Sequence, residues 1–171
     1  MSGAVILPFK GILPTIHPEA FIAPGVVVIG DVHIGAHTNI WFGTVIRGDV
    51  CPIRIGERTN IQDGTIIHVT RGTGPTNIGS GITVGHQALL HACTLEDDCF
   101  VGMGAKVMDG AVVESGAYVA AGAMVTPKKR VPKGQVWAGN PAKYFRDMSE
   151  AEVKYIPWSA QHYVELSKEY L

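Results

Sequence analysis

Three histidines hold most of the chemistry this sequence can offer. His86 and His91 lie five apart in GHQALLHAC, residues 85–93, a mostly small and apolar stretch, and His68 lies upstream. Three neutral imidazoles with a fourth position open are the arrangement that keeps zinc catalytic. Such ligands leave the cation's charge largely uncompensated, so a water it binds loses its proton near neutral pH. Arg47, Asp49, Gln62 and Asp63 accompany them. A lone histidine is ordinarily a surface or satisfied polar residue, and the four companions can equally be interface ion pairs. The elements that position these side chains must decide.

Those elements repeat every six residues. Aliphatic residues recur at Ile16, Ile22, Val28, Ile34, Ile40 and Ile46. After a surplus of three the series resumes at Ile55, Ile61 and Ile67; after a surplus of five, at Ile78, Val84 and Leu90. One short step leads to Leu95, and the series continues through Val101, Val107, Val113, Val119 and Val125. A small or branched residue follows four places after most starts, as at Thr38, Thr59, Ala105 and Ala117, and glycine follows three places after many. Each hexad reads as a short strand and a tight corner, with the aliphatic start pointing inward and glycine where a β-carbon would crowd. One hexad cannot bury its own face, so hexads must stack as a solenoid.

Three hexads to a coil place Ile46, Ile67 and Leu90 on one face of successive coils. The residues that follow them point outward, so Arg47, His68 and His91 form a column. Coils are about 4.8 Å apart, which lets His68 and His91 reach one small ion. On the next face, two places after Ile40, Ile61, Val84 and Val101, come Phe42, Asp63, His86 and Met103. His86 therefore sits one coil above Asp63, on a face turned away from the other two histidines. A rotationally related chain would bring its own His86 to them. Outward apolar residues (Ile29 and Met108 on one face, Trp41, Phe42 and Met103 on the other) suit two faces packed against partners. A closed three-fold ring does this with one heterologous interface. The third face carries His37, Glu57, Arg58, Glu96, Asp97, Asp98 and Glu114.

The ladder is expected to end near Val125, with TPKKRVPKGQVWAGNPAK as an irregular cap and Lys128–Arg130 a solvated loop. SEAE, residues 149–152, is a capping-box signature, so residues 148–171 are expected to form a C-terminal helix, broken or restarted at Pro157, against the 1–147 repeat domain. Cys99 falls on an inward small position, and Cys93, two places after His91, is expected at a corner. His17, His33, His37 and His162 share no comparable alignment.

Net charge is −1, which gives no general pull toward nucleic acid or anionic membrane. The 21 glycines and 10 prolines are spread along the 171 residues, as frequent turns require. The amino-terminal residues lack the cationic stretch and long apolar run of a signal peptide, and no membrane span is expected. Three cysteines cannot all pair within one chain, and a reducing cytoplasmic setting is the expectation.

VIRGDVCPIRIGERTNIQDGTIIHV (45–69), VGHQALLHACTLEDDCFVGMGA (84–105), GNPAK (139–143) and the C-terminal helix resemble the γ-class carbonic anhydrase family. The resemblance implies an all-β fold: a left-handed parallel β-helix of hexapeptide repeats with a C-terminal α-helix. It implies a homotrimer with metal at each subunit interface, held by His68 and His91 of one chain and His86 of the next. The metal it implies is zinc, with iron or cobalt able to replace it. It assigns Arg47 and Asp63 to an intersubunit ion pair and Asp49 to the same network. Gln62 would hydrogen-bond the metal-bound water, with Asn60 near the active site. The implied activity is that of a carbonate dehydratase: reversible hydration of carbon dioxide to bicarbonate by zinc-bound hydroxide. The family's best-characterised members carry proton-transfer glutamates, one at the position of Val50 and one in the loop that here reads VTRGTGPTN, without a carboxylate. That departure implies slow turnover. Three alternatives stand beside this reading: a hexapeptide-repeat acyltransferase with a histidine base, a non-catalytic trimer keeping a structural metal, and a small thioesterase at the same metal.

Overall fold

A six-residue unit with one large aliphatic side chain has nothing to bury it against except the units above and below. The computed structural model, which describes residues 3–170, shows that stacking: a parallel β-helix of about seven turns with one helix, α1 (Glu150–Lys168), at the C-terminus. The parallel register joins the hexad starts into three columns. One runs Val28–Ile46–Ile67–Leu90–Val107–Val125. The second runs Ile22–Ile40–Ile61–Val84–Val101–Val119–Trp137. The third runs Ile16–Ile34–Ile55–Ile78–Leu95–Val113–Val131. Nearly all of these starts are buried, and they form one continuous core.

The corners explain the rest of the hexad. Three places after a start the backbone is left-handed, as at Gly43 (φ 69°), Gly64 (φ 68°) and Gly104 (φ 65°). Five such corners carry a side chain instead: His37, Arg58, Gln87, Asp98 and Lys128. One place later, at most corners, the small residue is buried, and where it is threonine its hydroxyl donates to a carbonyl of the next coil. Thr38 Oγ1 reaches Gly56 O at 2.6 Å, and Thr59 Oγ1 reaches Gly79 O at 2.8 Å. A buried hydroxyl without such an acceptor would cost about 1–3 kcal/mol.

The two surpluses are absorbed without loss of register. The first lies in the long strand Val45–Ile55, where pairing with Val27–Ile34 shifts between Gly30/Gly48 and Val32/Ile53. The second leaves the ladder as a loop closed by Thr70 and Gly74, and Thr76–Ile78 rejoins it.

Two expectations need correction. The ladder does not end near Val125: the six-residue step continues to Val131 and Trp137, in the strands Arg130–Val131 and Gln135–Ala138. The basic run hid this step; Lys128 is simply another left-handed corner (φ 62°). Only then does the chain reverse, as Lys143–Asp147 pairs antiparallel with Gln135–Ala138. Nor does Pro157 break the helix, since α1 runs through it. The carbonyl that loses its donor is that of Val153, an exposed residue beside which water can replace the missing N–H. Ser149 and Glu152 form the capping box. Ile156, Ser159, Ala160 and Val164 are the buried side of α1, which lies along the Ile40 face of its own prism.

Candidate metal centre

Register alone sets His68 beside His91. Their ring centroids are 5.2 Å apart, and Nδ1 of His68 faces Nε2 of His91 at 3.2 Å. The remaining nitrogen of each ring meets a carboxylate. Nε2 of His68 lies 3.1 Å from Asp49 Oδ1, and Nδ1 of His91 lies 2.8 Å from Asp109 Oδ1.

Carboxylates behind both rings decide what lies between them. An ionised carboxylate only accepts, so each ring directs an N–H to its carboxylate and, in the neutral form a metal ligand takes, turns a lone pair toward the other ring. Two lone pairs at 3.2 Å repel unless a positive charge sits between them. Two Zn–N bonds of about 2.0–2.1 Å at a tetrahedral angle separate their nitrogens by about 3.3 Å. The pair therefore fits a divalent ion in both donor type and spacing. Carboxylates on the outer nitrogens are the usual support for metal-bound histidine.

Both carboxylates are held ionised. At Asp49, burial pushes the carboxyl up, but hydrogen bonds from Arg47 and His68 and the Arg47 charge outweigh it and leave it below the usual range. At Asp109, a hydrogen bond from Thr70 Oγ1 is the leading cause of the lowering; burial opposes it and His91 adds to it. Asp49 also takes an ion pair from Arg47 of the same chain.

His86 stands elsewhere. Its Nδ1 is 2.7 Å from Asp63 Oδ2, and its backbone N–H donates to Gln62 Oε1 at 3.1 Å. The imidazole is 44% exposed, so it is presented outward. No three histidine, cysteine, aspartate or glutamate side chains gather around one point among the described residues. One chain thus supplies two converging ligands and, on a second face, a third that points away. Within one chain Arg47 and Asp63 have different partners, Asp49 and His86.

Gln62 is 6% exposed, with its carbonyl oxygen committed to His86. Asn60 is fully buried where α1 crosses the Ile61 strand, and among the described residues neither Nδ2 nor Oδ1 has a partner. Nearby, Thr83 Oγ1 and Ser159 Oγ meet at 3.0 Å, so a buried polar seam runs under α1. A cleft of about 250 Å³ opens beside Gln62 and His86, lined largely by Phe100, Met103, Tyr118, Tyr155 and Tyr163.

Sequence reasoning did not single out Asp109 or Thr70. The signal for Asp109 was present: it lies two places after Val107, on the His91 face and one coil further on. Thr70 gave none, because it sits in the loop outside the hexad register. Cys93 and Cys99 are both buried.

Residues 13–48 and 92–127 match the bacterial transferase hexapeptide (six repeats) family. The chain is 51% identical over 160 residues to γ carbonic anhydrase 2, mitochondrial, of Arabidopsis thaliana, covering 91% of this chain and 58% of that one. It is 42% identical over 166 residues to a carbonic anhydrase of Geobacillus kaustophilus, covering 97% and 91%. The chain spans 58% of the length of both first Arabidopsis relatives. Among solved structures, a hexapeptide transferase family protein of Anaplasma phagocytophilum is 50% identical, with a TM-score of 0.94 over 98% of each chain.

Proposed function

The chain belongs to the γ-carbonic anhydrase family, and from that membership we propose that it hydrates carbon dioxide reversibly at a divalent metal shared between subunits of a trimer. The observation that carries this reading is the His68–His91 pair, whose outer nitrogens are taken by carboxylates and whose inner nitrogens lie 3.2 Å apart. Zinc suits two imidazoles, and iron or cobalt is accommodated by the same donors. His86 of a neighbouring chain completes the ligand set, since its ring already projects from the adjacent face. Arg47 and Asp63 then come into reach of each other across the same interface, and Asp49 joins them.

When bound, the metal lowers the pKa of water it carries and so supplies a nucleophile for carbon dioxide at neutral pH. The chain's own residues do the remaining work. His68 and His91 leave the rest of the coordination sphere open. Gln62, anchored through the His86 backbone, holds its amide where it orients the attacking water. Asn60 lies two residues earlier in the same coil of the ladder, fully buried near the site. A proton must then leave. Val50 and the 69–77 loop offer no carboxylate to take it, so release goes to solvent or buffer and turnover is slow and buffer-dependent.

Stopped-flow hydration of carbon dioxide by zinc-replete protein, with metal content and light-scattering mass, tests the proposal. The expected result is one metal per chain, a trimer, and activity that rises with buffer concentration and disappears in His91→Ala. Activity that survives His91→Ala refutes the mechanism. A trimer that is fully metal-loaded yet inactive at every pH supports the non-catalytic reading instead.

One observation favours a second reading. The aromatic cleft beside His86 is far larger than carbon dioxide needs, and its walls suit an acyl chain. Acyl transfer or hydrolysis of a small thioester would use it. Acetyl-CoA turnover that persists in metal-free protein selects the acyltransferase; metal-dependent thioester hydrolysis selects the thioesterase.

A further inference from the structure

The loop at residues 69–77 interrupts the hexads between His68 and Ile78, at a place where the proposed function finds no proton acceptor. It is nevertheless built with care. The backbones of Thr70 and Gly74 exchange two hydrogen bonds, of 2.9 and 3.1 Å. A β-carbon on Gly74 would come within 2.8 Å of both Ala92 Cβ and Thr70 Cβ, so the turn lies flat against the residue that follows His91. At the far end Thr76 Oγ1 donates to the His68 carbonyl at 2.6 Å. The root of the loop thereby fixes Thr70, whose hydroxyl donates to Oδ2 of Asp109, while Oδ1 of the same carboxylate receives Nδ1–H of His91 at 2.8 Å.

We propose that Thr70 and Asp109 act as positioning residues for the metal: the loop holds Thr70, Thr70 holds Asp109, and Asp109 keeps His91 in the Nδ1–H form with its Nε2 lone pair aimed at His68. This rests on the proposed function only in placing an ion between the two rings. The physical need is specific. Asp109 is 42% exposed at the edge of a cleft of about 320 Å³. An aspartate so open would turn about its side-chain bonds unless its second oxygen were tied down. Without it, His91 can take the other tautomer, which puts a proton where the ion must sit. In this chain, then, the loop serves retention of the metal.

The test measures zinc affinity by competition with a chromophoric chelator, on Asp109→Ala, Asp109→Asn, Thr70→Val and Thr70→Ser. Loss of a hydrogen bond behind a metal-bound histidine costs about 10–100-fold in affinity, and that is the expectation for Asp109→Ala. Asp109→Asn keeps an acceptor for Nδ1–H and recovers part of the loss. Thr70→Val weakens binding about fivefold, as one lost hydrogen bond implies, and Thr70→Ser restores it. The visible spectrum of cobalt-loaded protein shifts in Asp109→Ala and Thr70→Val, which a merely structural loss would not produce. Unchanged zinc affinity in a folded Asp109→Ala overturns the proposal. If that variant fails to fold, equal affinities in Thr70→Val and Thr70→Ser overturn it. Zinc held tightly by a parent protein with no hydratase activity sinks the proposed function and leaves this inference standing. An active parent whose affinity ignores Asp109 sinks this inference alone.

Discussion

Gly102 and Gly104 are two residues apart on one coil, yet alanine at each should fail for a different reason and by a different amount. At Gly102 a β-carbon would lie 2.4 Å from the backbone nitrogen of Ala121 and 2.8 Å from its Cα. Ordinary contact needs about 3.5 Å, so the adjoining coil must retreat by about 1 Å. That movement stretches the ladder bond from Gly102 N–H to Val119 O, now 2.8 Å. Overpacking costs about 1–3 kcal/mol and a weakened backbone bond about 1 kcal/mol more, so Gly102→Ala should lose about 3 kcal/mol. At Gly104 a β-carbon meets nothing within 4 Å, but φ is +65°. The left-handed backbone costs an L-residue about 1–2 kcal/mol, and five corners of this chain already bear it. For a chain of this size each kcal/mol moves Tm by about 2–4 °C, so the expected losses are about 6–12 °C at Gly102 and about 2–8 °C at Gly104. Calorimetry at matched protein and metal concentration reads both, the matching being needed because assembly and ligand shift Tm. Gly102→Ala as stable as Gly104→Ala would refute the claim that contact between coils, and not corner conformation, is the tighter constraint.

Other expectations follow from single residues. Ser149→Ala should cost about 1 kcal/mol through the lost cap. Hydrogen bonds from Arg146 and Ser149 hold the Glu152 carboxyl down at about 2, against 4.5 ordinarily. Its stabilising effect is therefore complete above about 4.5 and fades as pH falls toward 2; urea unfolding of Glu152→Gln and parent should converge over that window, and a constant gap contradicts it. Burial pushes the Cys93 thiol up to about 12 and Cys99 well above its usual value. Mass spectrometry after mild alkylation of native protein at slightly alkaline pH should find both unmodified, with Cys51 the only thiol labelled; fast labelling of either buried thiol contradicts it. Chelation of the metal and Arg47→Ala should each weaken the proposed trimer on dilution, and light scattering that shows an unchanged trimer after both removes these groups from the interface.

The fold was legible because its constraint repeats. Each coil interior admits an aliphatic residue at one position in six, so Ile46, Ile67 and Leu90 announce their column, and His68 beside His91 follows by counting. Asp63 beneath His86 followed in the same way. What could not be counted was hidden by residues that satisfy two roles. Lys128, Lys129 and Arg130 look like a solvated loop, yet Lys128 turns a corner and Arg130 begins a strand. Pro157 looks like a break, yet it costs α1 one bond on its wet side. Asp109 looks like one more outward acid; only the side-chain geometry shows it behind His91. Thr70 lies where the period is suspended, and no periodic argument reaches it.

The antiparallel strand Lys143–Asp147 has a consequence for assembly. A stack of parallel coils has no natural last member, because its top rung offers the same donors and acceptors as the one below. Reversing direction at the final rung presents the wrong hydrogen-bond sequence to an incoming parallel coil, and Lys143, Arg146 and Asp147 add charge to that rim. On that face, end-to-end addition of a parallel coil meets a reversed strand supplied by the chain itself.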